Sequence, residues 1–220
     1  KTLREKTKIW DAWADEEGRL ETAYGRFWRR YPVPEVALDG EVFADENNPW
    51  TTREENGQLV FDQIQYVIDT LKELKINPNH KNGRRMIVVA WNPGNATISK
   101  LPPCHYTFAF NVLGNKLNCH LTQRSGDIAL GIPFNLACYS LLTMMLAKEC
   151  GYEVGEFSHT IIDAHIYENH IEGLKEQLTR KPLKLPKIKI ADKPFNELTF
   201  DDIKLEDYES YPLIKFEVAV

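Results

Sequence analysis

Residues 136–147 read Leu-Ala-Cys-Tyr-Ser-Leu-Leu-Thr-Met-Met-Leu-Ala, apolar on nearly every side when wound into a helix. Such a helix must be covered on most of its faces, so the chain has to supply layers of other elements around one shared core. Ser140 and Thr143 interrupt the run, which also falls short of the ~20 apolar residues that cross a bilayer. It reads as a central buried helix, stopped by Gly151.

The covering layers lie close by in sequence. Residues 86–91 and 106–113 are rich in β-branched and aromatic side chains, and Gly114-Asn115 turns the second stretch into 116–122, which predicts strands joined by a hairpin. Phe61, Ile64, Val67 or Ile68, Leu71 and Leu74 recur at helical spacing ahead of Pro78, which predicts an amphipathic helix over 59–74. A short strand at 160–162, a helix from 166 to about 180 ended by Pro182, and a strand at 185–190 complete a mixed α+β pattern. Residues 39–57 are acidic and polar with a turn at Asn47-Asn48-Pro49, and read as a surface insertion. At 220 residues without an internal repeat, a single domain over 1–220 is expected.

Composition narrows the partners. With 27 Lys+Arg against 32 Asp+Glu, the net charge of −5 excludes a broad basic surface for nucleic acid or anionic lipid and leaves room only for a local cationic pocket. Cys104, Cys119, Cys138 and Cys150 form no CxxC pair, and Lys1-Thr2-Leu3-Arg4-Glu5 has no apolar signal-peptide core. A cytoplasmic protein without a membrane segment is expected, and the helix-like opening suggests a chain that starts partway into its fold.

Several residues could carry chemistry. Cys104 sits in Leu101-Pro102-Pro103-Cys104-His105, where two prolines stiffen the approach and remove two backbone donors, an arrangement suited to presenting a nucleophile as well as to burying a small apolar residue. Cys104-His105 and Cys119-His120 resemble paired zinc ligands. Neighbours on a strand point to opposite faces, however, so no metal site is expected. Gln123-Arg124-Ser125-Gly126-Asp127 ends a strand with a guanidinium and a hydroxyl side by side, able to hold a phosphate or to form a solvated turn, and Arg84-Arg85 is a second cationic pair. Asn135 can cap the buried helix or, because an amide both donates and accepts, match the N3–H and O4 edge of uracil. His165 and His170 are five residues apart and share no helical face, while Trp10 and Trp13 have core-packing spacing.

Cys104 behind a proline, then Gln123-Arg124-Ser125-x-Asp127-x-x-Leu130-Gly131-x-Pro133-Phe134-Asn135, then His165-Ile166-Tyr167-x-Asn169-His170 occur in this order and spacing. The combination closely resembles the folate-dependent thymidylate synthase family. The likeness extends from Ile9-Trp10-Asp11-x-Trp13-Ala14-Asp15 through Tyr24-Gly25 and Arg84-Arg85 to Phe216-Glu217-Val218-Ala219-Val220.

The resemblance implies a mixed β-sheet packed with helices, forming a sheet-to-sheet homodimer that methylates dUMP reductively with 5,10-methylenetetrahydrofolate. It makes Cys104 the nucleophile toward C6 of dUMP, with Tyr24 and His105 in the hydrogen-bond network that moves the C5 proton. Arg124, Ser125 and Gln123 correspond to dUMP ligands, with Arg84 and Arg85 reaching the phosphate from the partner subunit. Asn135 corresponds to the uracil reader, where an aspartate would suit cytosine. His165 and Tyr167 correspond to ribose ligands, and Asp127 to the pterin ligand beside dUMP. Ile9, Trp10, Trp13, Leu130, Gly131 and Phe134 would line the folate pocket, and Val220 would close over it.

The family also carries a leading segment ahead of the Ile9-Trp10 region, with an arginine and a glutamate that have no counterpart here, so the chain is expected to lack that beginning. Ile162, Glu21-Thr22 and Phe27 depart from the family pattern. A dUMP hydroxymethylase of the same fold, which would admit water, and a non-catalytic nucleotide- or RNA-binding relative are the competing expectations. Binding of its own messenger RNA is neither required nor excluded by these residues.

Overall fold

A computed structural model describes residues 14–18, 24–36, 39–99 and 101–218. In chain order the elements are helix α1 (Tyr24–Arg29), strands β1 (Tyr31–Pro32), β2 (Thr51–Arg53) and β3 (Leu59–Phe61), helix α2 (Gln63–Ile76), strand β4 (Ile87–Val89), helix α3 (Pro93–Ala96), strands β5 (His105–Leu113) and β6 (Lys116–Asp127), helix α4 (Gly131–Cys150), strand β7 (Glu153–His165), helix α5 (Ile171–Thr179), and strands β8 (Lys187–Ile190) and β9 (Ile203–Glu206). The main sheet runs β4-β5-β6-β7, antiparallel until β7 joins β6 in parallel. A parallel pair cannot close through a tight turn, and α4 is the crossover that this one uses. β1, β3 and β2 make a small antiparallel sheet, and β8 pairs with β9.

Strand alternation decides the two faces of the main sheet. Phe108, Phe110, Leu117, Cys119 and Leu121 point inward and meet Ile64, Val67, Ile68, Leu71 and Leu74 of α2 and Tyr139, Leu142, Leu146, Ala147 and Cys150 of α4 in one core. The other face carries His120, Ser158 and Thr160, all exposed, together with exposed Ile87 and with Ile162 at 68% exposure.

Several sequence expectations change here. Residues 59–61 are strand, and the helix begins only at Gln63, because the Asp62 carboxylate accepts the Gln65 N–H at 2.9 Å and caps it. Within 39–57, Thr51–Arg53 pairs with β3 as a strand. β7 is longer than the stretch at 160–162: its outward Glu156, Ser158 and Thr160 hide the β pattern, and pairing with β6 from Lys116↔Glu153 to Asp127↔His165 sets its extent. The α4 helix is also less enclosed than its apolarity implies. It is buried from Tyr139 onward along one side, whereas Phe134, Leu136 and Cys138 near its start are exposed, Phe134 to 71%.

Candidate active site

Cys104 immediately precedes β5 and is half-buried. Its loop is fastened to β6 by a single residue: the Arg124 backbone N–H donates to the Cys104 carbonyl at 2.8 Å, Nε donates to the Pro103 carbonyl at 3.0 Å and Nη2 to the Pro102 carbonyl at 2.8 Å. The two prolines offer carbonyls but no donors, so a guanidinium is the group that can satisfy both at once. Those bonds use only part of the five-donor fork, leaving the remaining N–H groups for an anion beside the cysteine. Burial pushes the thiols of Cys119 and Cys150 up to about 12, which leaves both unreactive in the core.

His105 points inward at the start of β5, where its Nδ1 lies 2.6 Å from the Tyr139 hydroxyl. Desolvation first, and the neighbouring His159 second, pull its pKa down to about 3. The ring is therefore neutral at any working pH and serves as a hydrogen-bonding group, not a cation.

Asn135 is on the first turns of α4 but does not cap it. The helix starts at Gly131, and the Asn135 Oδ1 accepts from Gln123 Nε2 at 3.1 Å. Gln123 is 2% exposed and has every polar atom engaged: Nε2 also donates to the Ser125 carbonyl at 2.8 Å, and Oε1 lies 3.0 Å from His159 Nε2. The Asn135 amide is thus held from a strand, away from the helix backbone, and these hydrogen bonds fix its orientation.

At the far end of β6, register places Ser125 opposite Asp163 and Asp127 opposite His165, so the expected phosphate, pterin and ribose ligands sit on adjacent strand ends. The Asp127 Oδ1 accepts the Ala129 N–H at 2.9 Å and lies 3.7 Å from Nδ1 of fully buried His170, whose Nε2 donates to the Glu217 carbonyl at 2.6 Å. Tyr167 follows, its ring 5.1 Å from that of His165. Phe216 packs edge-on against His170, which carries the C-terminal segment to the same corner. Leu130, Gly131 and Phe134 flank it at the start of α4.

The structure thus brings Cys104, His105, Gln123, Arg124, Ser125, Asp127, Asn135, His165 and Tyr167 to one end of the sheet. Arg84 and Arg85 are not among them. Arg84 ends a single 3-10 turn after α2 and lines a cleft with Lys75, Gly114 and Asn115 at the opposite end of β5, about 27 Å from Cys104 by strand rise. Ile9, Trp10, Trp13 and Val220 lie outside the described residues, as does the side chain of Tyr24, whose backbone opens α1.

Two residues of this corner carried no sequence signal of their own. Tyr139 lies one helical turn beyond Asn135 on α4, which could have flagged it; His159 is placed only by the β6–β7 register. Among the described residues no group of three or more His, Cys, Asp or Glu side chains is placed to hold a metal ion, and no helix is long and apolar enough to cross a membrane.

A family model described as thymidylate synthase matches residues 1–220. A thymidylate synthase of Haloferax volcanii is 45% identical over 269 aligned residues, which take in all of this chain and 76% of that relative.

Proposed function

Because the chain belongs to the thymidylate synthase family, we propose that it reductively methylates dUMP to dTMP, with 5,10-methylenetetrahydrofolate as co-substrate and dihydrofolate as second product. The observation that carries this reading to particular residues is the pinned amide of Asn135, held by Gln123 at the same sheet end where Arg124 fastens the Cys104 loop. A nucleophile, an anion-binding fork and a base-reading amide are the groups that a pyrimidine nucleotide requires.

In this mechanism Arg124 and Ser125 hold the phosphate, His165 and Tyr167 the ribose hydroxyl, and Asn135 the N3–H and O4 edge. The Cys104 thiolate adds to C6, which turns C5 from a poor nucleophile into an enolate carbon able to attack a one-carbon unit. The folate supplies that carbon and then a hydride. Loss of the C5 proton and departure of the sulfur from C6 regenerate Cys104. Neutral His105, with Tyr24, belongs to the hydrogen-bond network that moves that proton.

The corner fits a pterin. Phe134 offers an exposed apolar face beside Leu130 and Gly131, and Asp127 has one carboxylate oxygen unengaged among the described residues, an acceptor for ring N–H groups. The family resemblance assigns Ile9, Trp10 and Trp13 to the same folate pocket and Val220 to its closure against water, which would otherwise divert the product to 5-hydroxymethyl-dUMP. We further propose a cytoplasmic homodimer packed sheet to sheet, each protomer one domain over 1–220, with 39–57 as an insertion that is anchored to the fold by β2. Supporting the dimer are the sheet face with Ile87 and Ile162, left exposed among the described residues, and the distance of Arg84 and Arg85 from their own Cys104, which makes them available to a partner's phosphate site.

The test mixes the protein with dUMP and 5,10-methylenetetrahydrofolate, follows dihydrofolate absorbance and identifies the nucleotide formed. Appearance of dTMP with dihydrofolate is expected; 5-hydroxymethyl-dUMP without dihydrofolate, or no turnover by a folded protein that binds dUMP, overturns the reading. Cys104→Ser is expected to lower turnover by at least about a thousandfold with dUMP affinity within a few-fold of the original, and near-normal turnover would remove Cys104 from its role.

A further inference from the structure

Uracil and cytosine differ at the edge that Asn135 faces, so discrimination depends on which way round that amide is held. Rotating an amide by half a turn exchanges a donor for an acceptor at nearly the same volume, and packing alone scarcely opposes it. The orientation has to come from hydrogen bonds. Asn135 Oδ1 is turned toward Gln123 because Gln123 presents Nε2 there, and Gln123 presents Nε2 because the same nitrogen also donates to the Ser125 carbonyl, which can only accept. The remaining atom, Gln123 Oε1, faces His159 Nε2 at 3.0 Å in a pocket where Gln123 is 2% exposed. An amide oxygen cannot donate, so that ring nitrogen must carry the hydrogen.

We infer that His159, as its Nε2–H tautomer, is a positioning residue for base selection: it locks Gln123, which in turn holds Asn135 with its NH2 group directed to a carbonyl on the pyrimidine, as in uracil, and against an amino group, as in cytosine. The inference rests on the dUMP reading above and names what sets its selectivity. With the reverse orientation of Gln123, three contacts fail together: Nε2 meets the His159 N–H, and Oε1 meets the Ser125 carbonyl and Asn135 Oδ1. The ring itself is seated by strand pairing. His159 lies opposite Leu121 in the β6–β7 register and packs 5.7 Å from Phe157, which stacks on Tyr139. Burial lowers its pKa, with the charge of His120 a smaller cause, and both favour the neutral ring, which has one donor and one acceptor.

Equilibrium binding of dUMP and of dCMP, measured calorimetrically on the whole protein, gives the selectivity ratio without depending on turnover. His159→Phe keeps the ring volume and removes the donor; the dUMP:dCMP ratio is expected to fall about fivefold, chiefly through a gain in dCMP affinity. His159→Gln restores an N–H near the Nε2 position and is expected to bring the ratio back to within about twofold of the original. A ratio unchanged in a folded His159→Phe protein, or one equally reduced in both variants, overturns the inference. Nitrogen NMR of the histidine rings in the unsubstituted protein tests it independently of how the variants fold: a protonated Nε2 on His159 is expected, and a protonated Nδ1 with bare Nε2 overturns it. Selective dUMP binding without any turnover would instead sink the proposed function and leave the relay standing.

Discussion

Arg124 and His105 show how a residue's role follows from what its neighbours cannot do. Pro102 and Pro103 have carbonyls that accept but no N–H to give, and the guanidinium of Arg124 donates to both carbonyls, fastening the loop that carries Cys104. His105, one residue further on, is desolvated until its pKa drops to about 3. That depression has a consequence for stability. Between about pH 3 and 6.5 the unfolded chain binds a proton that the folded ring refuses, so stability is complete above pH 6.5 and declines as pH falls through that window, by at most about 1.4 kcal/mol per pH unit from this group. His105→Gln is expected to flatten the acid limb of a plot of melting temperature against pH, and an unchanged limb would show that the ring is not the group responsible. A limb in kcat with a midpoint between pH 5 and 8 is not expected from His105, since it is already neutral there.

The elements show where local chemistry was enough and where it was not. The stop signal at Gly151 is local and holds: φ is +71°, the left-handed region, and its N–H reaches the carbonyls of Ala147 and Lys148 to finish α4. A Cβ at this position would meet nothing closer than Lys75 Cε at 3.9 Å, so Gly151→Ala meets backbone strain alone. It is expected to cost about 1 kcal/mol, a fall of about 2–4 °C in melting temperature, with dUMP turnover at 25 °C unaffected; a loss above about 3 kcal/mol would mean that packing, not φ, governs the site. The hairpin at Gly114-Asn115 was equally legible, because two strands and their turn lie next to one another in sequence. The start of α2 was not. Phe61 fits the helical stripe, yet pairing with β1 and β2 drew Leu59–Phe61 into a strand and left Asp62 to begin the helix. Asn135 failed in the other direction: N-capping is the common use of an asparagine near a helix start, and only Gln123, twelve residues away on β6, shows that its oxygen is taken.

For the molecule as a whole, net charge of −5 was a poor guide to ligands, since the cations that matter are gathered at two ends of one sheet. If Arg84 and Arg85 complete a partner's site, a mixture of two inactive proteins, Cys104→Ser and Arg84→Ala/Arg85→Ala, recovers activity. In a mixed dimer the site holding an intact Cys104 receives intact arginines from its neighbour. Random reassortment makes about half the dimers mixed, each with one working site, so about a quarter of the original activity is expected, and no recovery after subunit exchange would place the arginines elsewhere. The sequence by itself determined the α+β pattern, the buried middle helix and the inventory of reactive groups, because periodicity, turn chemistry and motif spacing are properties of neighbouring residues. Only the tertiary structure decided that β7 runs parallel to β6 and that His159 therefore meets Gln123, 36 residues distant, and that Cys104 and Arg84 lie at opposite ends of β5. Those are matters of register between strands, where a shift of one residue would turn each side chain to the other face, and no local pattern in the chain records them.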